Sequence, residues 1–215
     1  MHSLDISYVI YTDPAPQEKI CGDQYLIKKG PDNILIAVAD GLGHGEKAAS
    51  AAKKAMNIIE NSTIDSLKDL MLTCHEALKN TRGVVLTLIK IEENYKISYL
   101  SVGNIMFLHW QRNPALQSEF LNSFGGIVGN NLPKLLPSQF ICHPDDTLII
   151  ATDGIQKQIL EIKPFYYASL KMLSDHILKL FRNPKDDCLL LVIQWKKGIT
   201  HENNGGEYPL YLTSL

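Results

Sequence analysis

Twice along this chain a run of apolar residues leads straight into Asp-Gly. Ile34-Leu35-Ile36-Ala37-Val38-Ala39 is followed by Asp40-Gly41, and Leu148-Ile149-Ile150-Ala151-Thr152 by Asp153-Gly154, with the two aspartates 113 residues apart. Apolar on both faces, such runs read as strands deep in a sheet. Glycine after each aspartate permits a tight turn or the close approach of another backbone. Asp23 follows Gly22 at the head of a further strand pattern, and Asp186-Asp187 stand just before the apolar run Cys188 to Trp195. Taken singly, Asp-Gly after a strand is ordinary turn chemistry. Taken together, acids at the ends of four core strands crowd several carboxylates into one small volume if those ends meet. Their repulsion raises pKa values or opposes folding, and bound cations remove the problem. Carboxylate, carbonyl and water oxygens favour Mg²⁺ or Mn²⁺ over zinc or copper.

Composition narrows the function classes. The chain has 215 residues, 45% hydrophobic and 20% charged, which is ordinary globular usage and excludes a disordered or coiled-coil chain. Lys+Arg 21 against Asp+Glu 23 leaves a net charge of -2, so no basic surplus coats a phosphate backbone and a nucleic-acid binder is disfavoured. The only arginines are Arg82, Arg112 and Arg182, so fork-shaped anion clamps are few. Apolar runs reach about eight residues where a membrane-spanning helix needs about 20. Met1-His2-Ser3-Leu4-Asp5 lacks a basic start and an apolar h-region, so a cytoplasmic protein without a membrane segment is expected. Cys21, Cys74, Cys142 and Cys188 stand singly and read as reduced, mostly buried thiols.

The periodicities imply an α+β chain. Strand patterns cover residues 5–11, 24–28, 34–39, 84–91, 95–102, 104–110, 139–143, 147–152 and 189–195, with one short strand at 119–121 inside the Pro- and Gly-rich stretch 111–137. Short joints at 92–94 and at Gly103 predict antiparallel hairpins, and 139–143 with 147–152 reads as a strand pair. Helical faces run through Ala48, Ala52, Ala55, Met56 and Ile59, and through Leu67, Leu70, Met71, Cys74, Ala77 and Leu78, the second opening near Ser62 or Thr63. A third helix from about 164 to 181 is expected to bury Tyr166, Leu170, Leu173, Ile177 and Leu180. Strands apolar on both faces need cover on both sides, and a pair of packed sheets with helices outside supplies it. Residues 1–195 read as one domain and 196–215 as a loose C-terminal tail.

Other chemistries fail on inspection. Gly41-Leu42-Gly43-His44-Gly45-Glu46 lacks the Gly-Lys-Ser/Thr ending of a P-loop and misses G-x-G-x-x-G. No cysteine is followed six positions later by arginine, as a cysteine-based phosphatase requires. His75-Glu76 has no second zincin histidine, and no G-x-S-x-G occurs.

Ala37 to Gly45 followed by an alanine-rich helix resembles the hallmark of the PPM (protein phosphatase 2C-like) superfamily, SpoIIE branch. Cys21-Gly22-Asp23, Ala151-Thr152-Asp153-Gly154 and Lys185-Asp186-Asp187 resemble its other motifs, in the right order. Within that branch, Ala77-Leu78-Lys79-Asn80, Arg82-Gly83 and Ser101-Val102-Gly103-Asn104 resemble the small phosphatases of the bacterial stressosome pathway. The resemblance implies a four-layer αββα sandwich and a centre of two divalent cations, Mn²⁺ or Mg²⁺, that activates water for attack on phosphoserine or phosphothreonine. It implies that Asp40 bridges both cations, that the Gly41 carbonyl binds one, and that Asp153 and Asp186 bind the other. Asp23 acts through waters or as an accessory ligand, and Asp187 ranks behind Asp186 because many relatives carry Asn there. His44 is either a general acid near the leaving oxygen or a helix-entry residue, and Asn104 a turn residue near the site. The implied partners are phosphorylated STAS-domain stressosome proteins. One departure stands out: relatives that hold the phosphate with an N-terminal arginine have no counterpart here, since no arginine precedes Arg82. The competing class is a catalytically silent fold of the same kind serving as a binding module, against which the retention of Asp23, Asp40, Asp153 and Asp186 argues.

Overall fold

The computed structural model describes residues 6–92, 95–112, 119–143, 145–161 and 167–195. Among the described residues, ten strands form two five-stranded sheets. One sheet runs β1 (Ile6–Asp13), β10 (Cys188–Trp195), β9 (Thr147–Ala151), β6 (Met106–Trp110), β7 (Glu119–Phe120), in that spatial order. The other runs β2 (Asp23–Lys29), β3 (Asn33–Gly41), β4 (Val84–Glu92), β5 (Lys96–Val102), β8 (Ser138–Ile141). All pairings within the two sheets are antiparallel.

Strand alternation divides the apolar side chains among three layers. From β3, Ile34, Ile36 and Val38 face the space between the sheets, where they meet Ile89, Ile97, Phe107, Leu148, Ile150, Leu189 and Leu191. Ala37 and Ala39, one residue out of phase, face the opposite way. There they lie under α1 (Glu46–Asn61) and α2 (Leu67–Leu78), against Ala51, Ala52 and Ala55. Alanine on both surfaces lets α1 approach the sheet closely. On the far side, α3 (Leu170–Phe181) sets Leu173, Ile177 and Phe181 on Leu108, Ile149, Leu190 and Val192. Helices, two sheets and helix are therefore stacked as αββα, the expected sandwich.

Several local expectations are corrected. β5 and β6 do not form a hairpin: β4 pairs with β5, but at Gly103 the chain leaves that sheet and β6 joins the other. Gly103 makes the crossing at φ 109, and a Cβ there would stand 2.1 Å from Val85 Cγ1. Alternation within a strand says nothing about which sheet it joins. For the same reason 139–143 and 147–152 are not partners: β8 pairs with β5, and β9 lies between β10 and β6. Helix α2 opens at Leu67, capped by Ser66, whose hydroxyl accepts from Asp69 N at 3.3 Å. The Ser62 hydroxyl instead accepts from Ile64 N at 3.0 Å in the turn after α1. Ser169 caps α3, which is shorter than expected at its start, and Leu180 faces solvent while Phe181 is buried. Tyr166 and the tail 196–215 lie outside the described residues.

Candidate metal centre

Both sheets present the same end of their strands to one rim. Antiparallel register sets Asp23, first residue of β2, directly opposite Asp40 near the end of β3. Asp153 lies just beyond β9 and Asp186-Asp187 just before β10, and these two strands are neighbours in the other sheet. Side-chain and backbone contacts knit the four ends together. Thr152 Oγ1 donates to Asp23 Oδ2 across the two sheets at 2.7 Å and accepts from Leu189 N at 2.9 Å. Gly41 N donates to the Gly22 carbonyl at 3.3 Å, and Asn183 N to the Gly154 carbonyl at 2.8 Å.

The glycines of both Asp-Gly pairs are there for close backbone approach. A Cβ on Gly41 would lie 2.1 Å from the Ala48 carbonyl oxygen of α1, and one on Gly154 would lie 2.1 Å from the Asp187 carbonyl oxygen. A Cβ on Gly22 would lie 2.7 Å from Asp187 Oδ2. Any side chain at these positions pushes the acid-bearing segments apart.

The carboxylates have fewer donors than they need. Asp23 is buried, and burial, with the charges of Asp187, Asp153 and Asp186 around it, raises its pKa to about 7 even though the Thr152 hydroxyl favours the charged form. Asp40 is pushed up to about 8, first by burial and then by Asp23, Asp153, Asp186 and Asp187. Asp153, exposed at the rim, is also raised, by desolvation and then by Asp186, against a 3.0 Å hydrogen bond from Asn104 Nδ2. Asp187 accepts from Ala15 N through Oδ1 at 2.8 Å, while its Oδ2 is buried without any partner. Asp186 Oδ1 accepts from Asp187 N at 2.9 Å. The Arg182 guanidinium holds this turn in shape, donating to the Asp186 carbonyl at 2.8 Å and to Asp13 Oδ2 at 3.2 Å.

An orphaned buried carboxylate oxygen, two acids pushed towards neutrality by burial and then by the acids around them, and a donor set made only of oxygens fit hard divalent cations. The thiol just before Gly22-Asp23 offers no alternative chemistry. Burial, and then Asp23, raise Cys21 to about 11, so it stays protonated and does not serve as a nucleophile at neutral pH.

The loop after Asp40 carries His44, exposed, with Nδ1 2.6 Å from Glu18 Oε1. Asp23, Asp40, Gly41, Asp153, Asp186 and Asp187 are thus brought to one rim, with His44 on its outer edge. Sequence reasoning passed over Thr152, Ala15, Glu18 and Arg182, and it read Asn104 as a turn residue although its amide reaches Asp153. Thr152 carried a signal: it is the one polar residue in an otherwise apolar strand run.

Comparisons with known proteins agree with this geometry. The family described as Stage II sporulation protein E (SpoIIE) matches residues 30–196. Phosphoserine phosphatase RsbX of Bacillus subtilis (strain 168) is 25% identical over 190 residues, covering 88% of this chain and 94% of RsbX. A crystal structure of RsbX in complex with magnesium superposes with a TM-score of 0.79 at 26% identity, covering 89% of this chain and 96% of that one. A chain described with the bacterial stressosome as a modular system adapted to control secondary messenger signaling gives a TM-score of 0.77 at 29% identity, covering 88% of this chain and 100% of that one. No helix among the described residues is long and apolar enough to cross a membrane. With the family matched across most of its length and the acid-rimmed double sheet in place, this chain belongs to the SpoIIE family and is a metal-dependent serine/threonine phosphatase of the PP2C type.

Proposed function

We propose that this protein removes phosphate from phosphoserine and phosphothreonine on bacterial stress-signalling proteins, the STAS-domain components of a stressosome, using two divalent cations, Mn²⁺ or Mg²⁺. The observation that carries this reading is the meeting of Asp23, Asp40, Asp153, Asp186 and Asp187 at one rim, where Asp23 and Asp40 lack enough positive partners to stay charged on their own. The likeness to RsbX supports the substrate class.

In this reading Asp40 and the Gly41 carbonyl, with Asp153 and Asp186, hold the cations. Asp23 serves as an accessory ligand, and Asp187 is secondary. When bound, a cation pair lowers the pKa of water and neutralises phosphoryl charge. Asn104 fixes the rotamer of Asp153 through its 3.0 Å hydrogen bond. Water oxygen bonds to phosphorus as the bond from phosphorus to the serine or threonine oxygen breaks. His44, held in place by Glu18, gives its proton to that leaving oxygen and is reprotonated by the proton that the attacking water gives up. No covalent enzyme intermediate is required, in keeping with the protonated Cys21.

The test is incubation with phosphorylated STAS-domain proteins in Mn²⁺, followed by intact-mass measurement, with a chelator control. Metal-dependent loss of phosphate is expected. Binding of these proteins without hydrolysis, in Mn²⁺ and in Mg²⁺, would identify a silent binding module instead.

A further inference from the structure

We infer that Arg82 is the phosphate-binding side chain of this site, reaching it from the connection between α2 and β4. The inference rests on the phosphatase reading above.

Of the three arginines, Arg182 is committed to Asp13 and to the carbonyls of Asn183 and Asp186, and Arg112 lies beyond the opposite end of β6, where its backbone N–H donates to Asp146. Arg82 differs from both. Its backbone is pinned: Gly83 N donates to Thr81 Oγ1 at 3.0 Å, and the Gly83 carbonyl accepts from Leu42 N at 3.1 Å, tying the segment to the loop after Asp40. Its side chain is exposed and lies on that loop, where Nη1 makes only a long contact of 3.5 Å to the Leu42 carbonyl. Gly43, at φ 87, leaves the room for it: a Cβ there would stand 2.7 Å from Nη1.

Among the described residues no carboxylate pairs with Arg82, although the cluster beginning at Asp40 is two residues from the carbonyl it touches. A guanidinium with a fixed root and nearly all its donors unspent, beside a cation-binding rim, suits bidentate recognition of a phosphoryl group. The open groove next to it, about 620 Å³ and lined by Glu46, Lys47, Ser50, Asn80, Thr81 and Arg82, leaves space for the polypeptide that carries the phosphate. The arginine missing from the N-terminal region is thereby replaced from a different element.

The experiment compares wild type with Arg82→Met and Arg82→Lys. It measures kcat and KM on p-nitrophenyl phosphate and on a phosphoserine peptide, inhibition by inorganic phosphate, and Mn²⁺ affinity. Arg82→Met is expected to raise KM and the inhibition constant of phosphate together by about tenfold or more, the worth of a charge-assisted hydrogen bond. Mn²⁺ affinity is expected to stay within twofold, and Arg82→Lys to recover part of the loss. Unchanged phosphate inhibition would overturn the inference. So would a loss of Mn²⁺ affinity as large as the rise in KM, because Arg82 would then act only by shaping the loop. If the wild type itself turns over nothing, the phosphatase reading fails separately. Calorimetric binding of inorganic phosphate to the Mn²⁺-loaded wild type and Arg82→Met then decides the inference: tenfold weaker binding in the variant upholds it, and equal binding overturns it.

Discussion

Strand β9 carries an aspartate beyond each end, and the two live in opposite electrostatic worlds. Asp146 precedes the strand and Asp153 follows one residue beyond its end, with the roughly 17 Å of the strand itself between them. Asp146 is buried yet fully served. Oδ1 accepts from Arg112 N at 2.7 Å, while Oδ2 accepts from His143 N at 2.9 Å and lies 2.8 Å from His109 Nε2. Desolvation pushes its pKa up, but those hydrogen bonds outweigh it and the net shift is downward. Cys142 Sγ lies 3.8 Å from both His109 Nε2 and Asp146 Oδ2, so the three side chains have the look of a metal site. Their hydrogen bonds are already complete, and Asp146 keeps the Cys142 thiol protonated by raising its pKa further than burial alone does. At the other end, Asp23 and Asp187 are as deeply buried and Asp40 is half-buried, all three among acids, and Asp23 and Asp40 are shifted upward, by burial first. A buried acid with its donors in place is a structural lock. A group of acids short of donors and crowded by one another's charge is suited to holding cations.

The sharpest way to break this comparison is to neutralise one acid at each end. Asp40→Asn and Asp153→Asn are each expected to lower phosphatase turnover by at least about 10²-fold through impaired cation binding, with the fold intact by circular dichroism. Full activity in either folded variant would remove it from the site. Asp146→Ala is expected to do the reverse. It takes the acceptor from Arg112 N and His143 N and the partner from the buried His109 Nε2, and it costs about 2–3 kcal/mol in a urea titration, while the folded fraction keeps its activity. An unchanged unfolding midpoint would mean that the network is ornamental.

pH separates the two ends further. Asp23 and Asp40 have folded-state pKa values above the ordinary carboxylate range, so without cations their contribution to stability is complete only below the ordinary value of 3.8 and is lost progressively as pH rises from there through about 7 and about 8. Asp146 is depressed, so its contribution is present at neutral pH and is lost as pH falls below the ordinary carboxylate range. Metal-free protein is therefore expected to lose melting temperature between about pH 5 and pH 8, and Mn²⁺ to restore more of it at the upper end than at the lower. A stabilisation by Mn²⁺ that is equal at both ends of this range would contradict the assignment. The smallest effect expected is that of Thr152→Val, which removes one donor from Asp23 and one acceptor from Leu189 N. It should cost about 1 kcal/mol and raise the Mn²⁺ concentration needed for half-maximal activity.

How much of this was legible beforehand depended on the range of the interaction. The strands at 34–39 and 147–152 and the helix after Gly45 were visible because periodicity and glycine punctuation act between near neighbours. The acids were visible too, since Asp-Gly after an apolar run is a local pattern. The sheet switch at Gly103 was not, because a hairpin and a crossing use the same alternation and differ only in which partner lies alongside. The cap of α2 at Ser66, rather than at Ser62 or Thr63, was not legible for the same kind of reason: a hydroxyl marks where a helix can start, and Ser66 holds the position because the helix itself begins at Leu67, which packs with Leu70 in the core.

The sequence by itself determined that this chain builds apolar strands ending in carboxylates, with oxygen donors and no competent thiol, and so what kind of ion it can hold. Tertiary structure alone decided which carboxylates are satisfied. Burial, the Asp23–Asp40 register, and contacts such as Thr152 to Asp23 and His109 to Asp146 join residues 17, 129 and 37 positions apart. A carboxylate's charge is set by what lies within a few ångströms, and only folding brings those groups there.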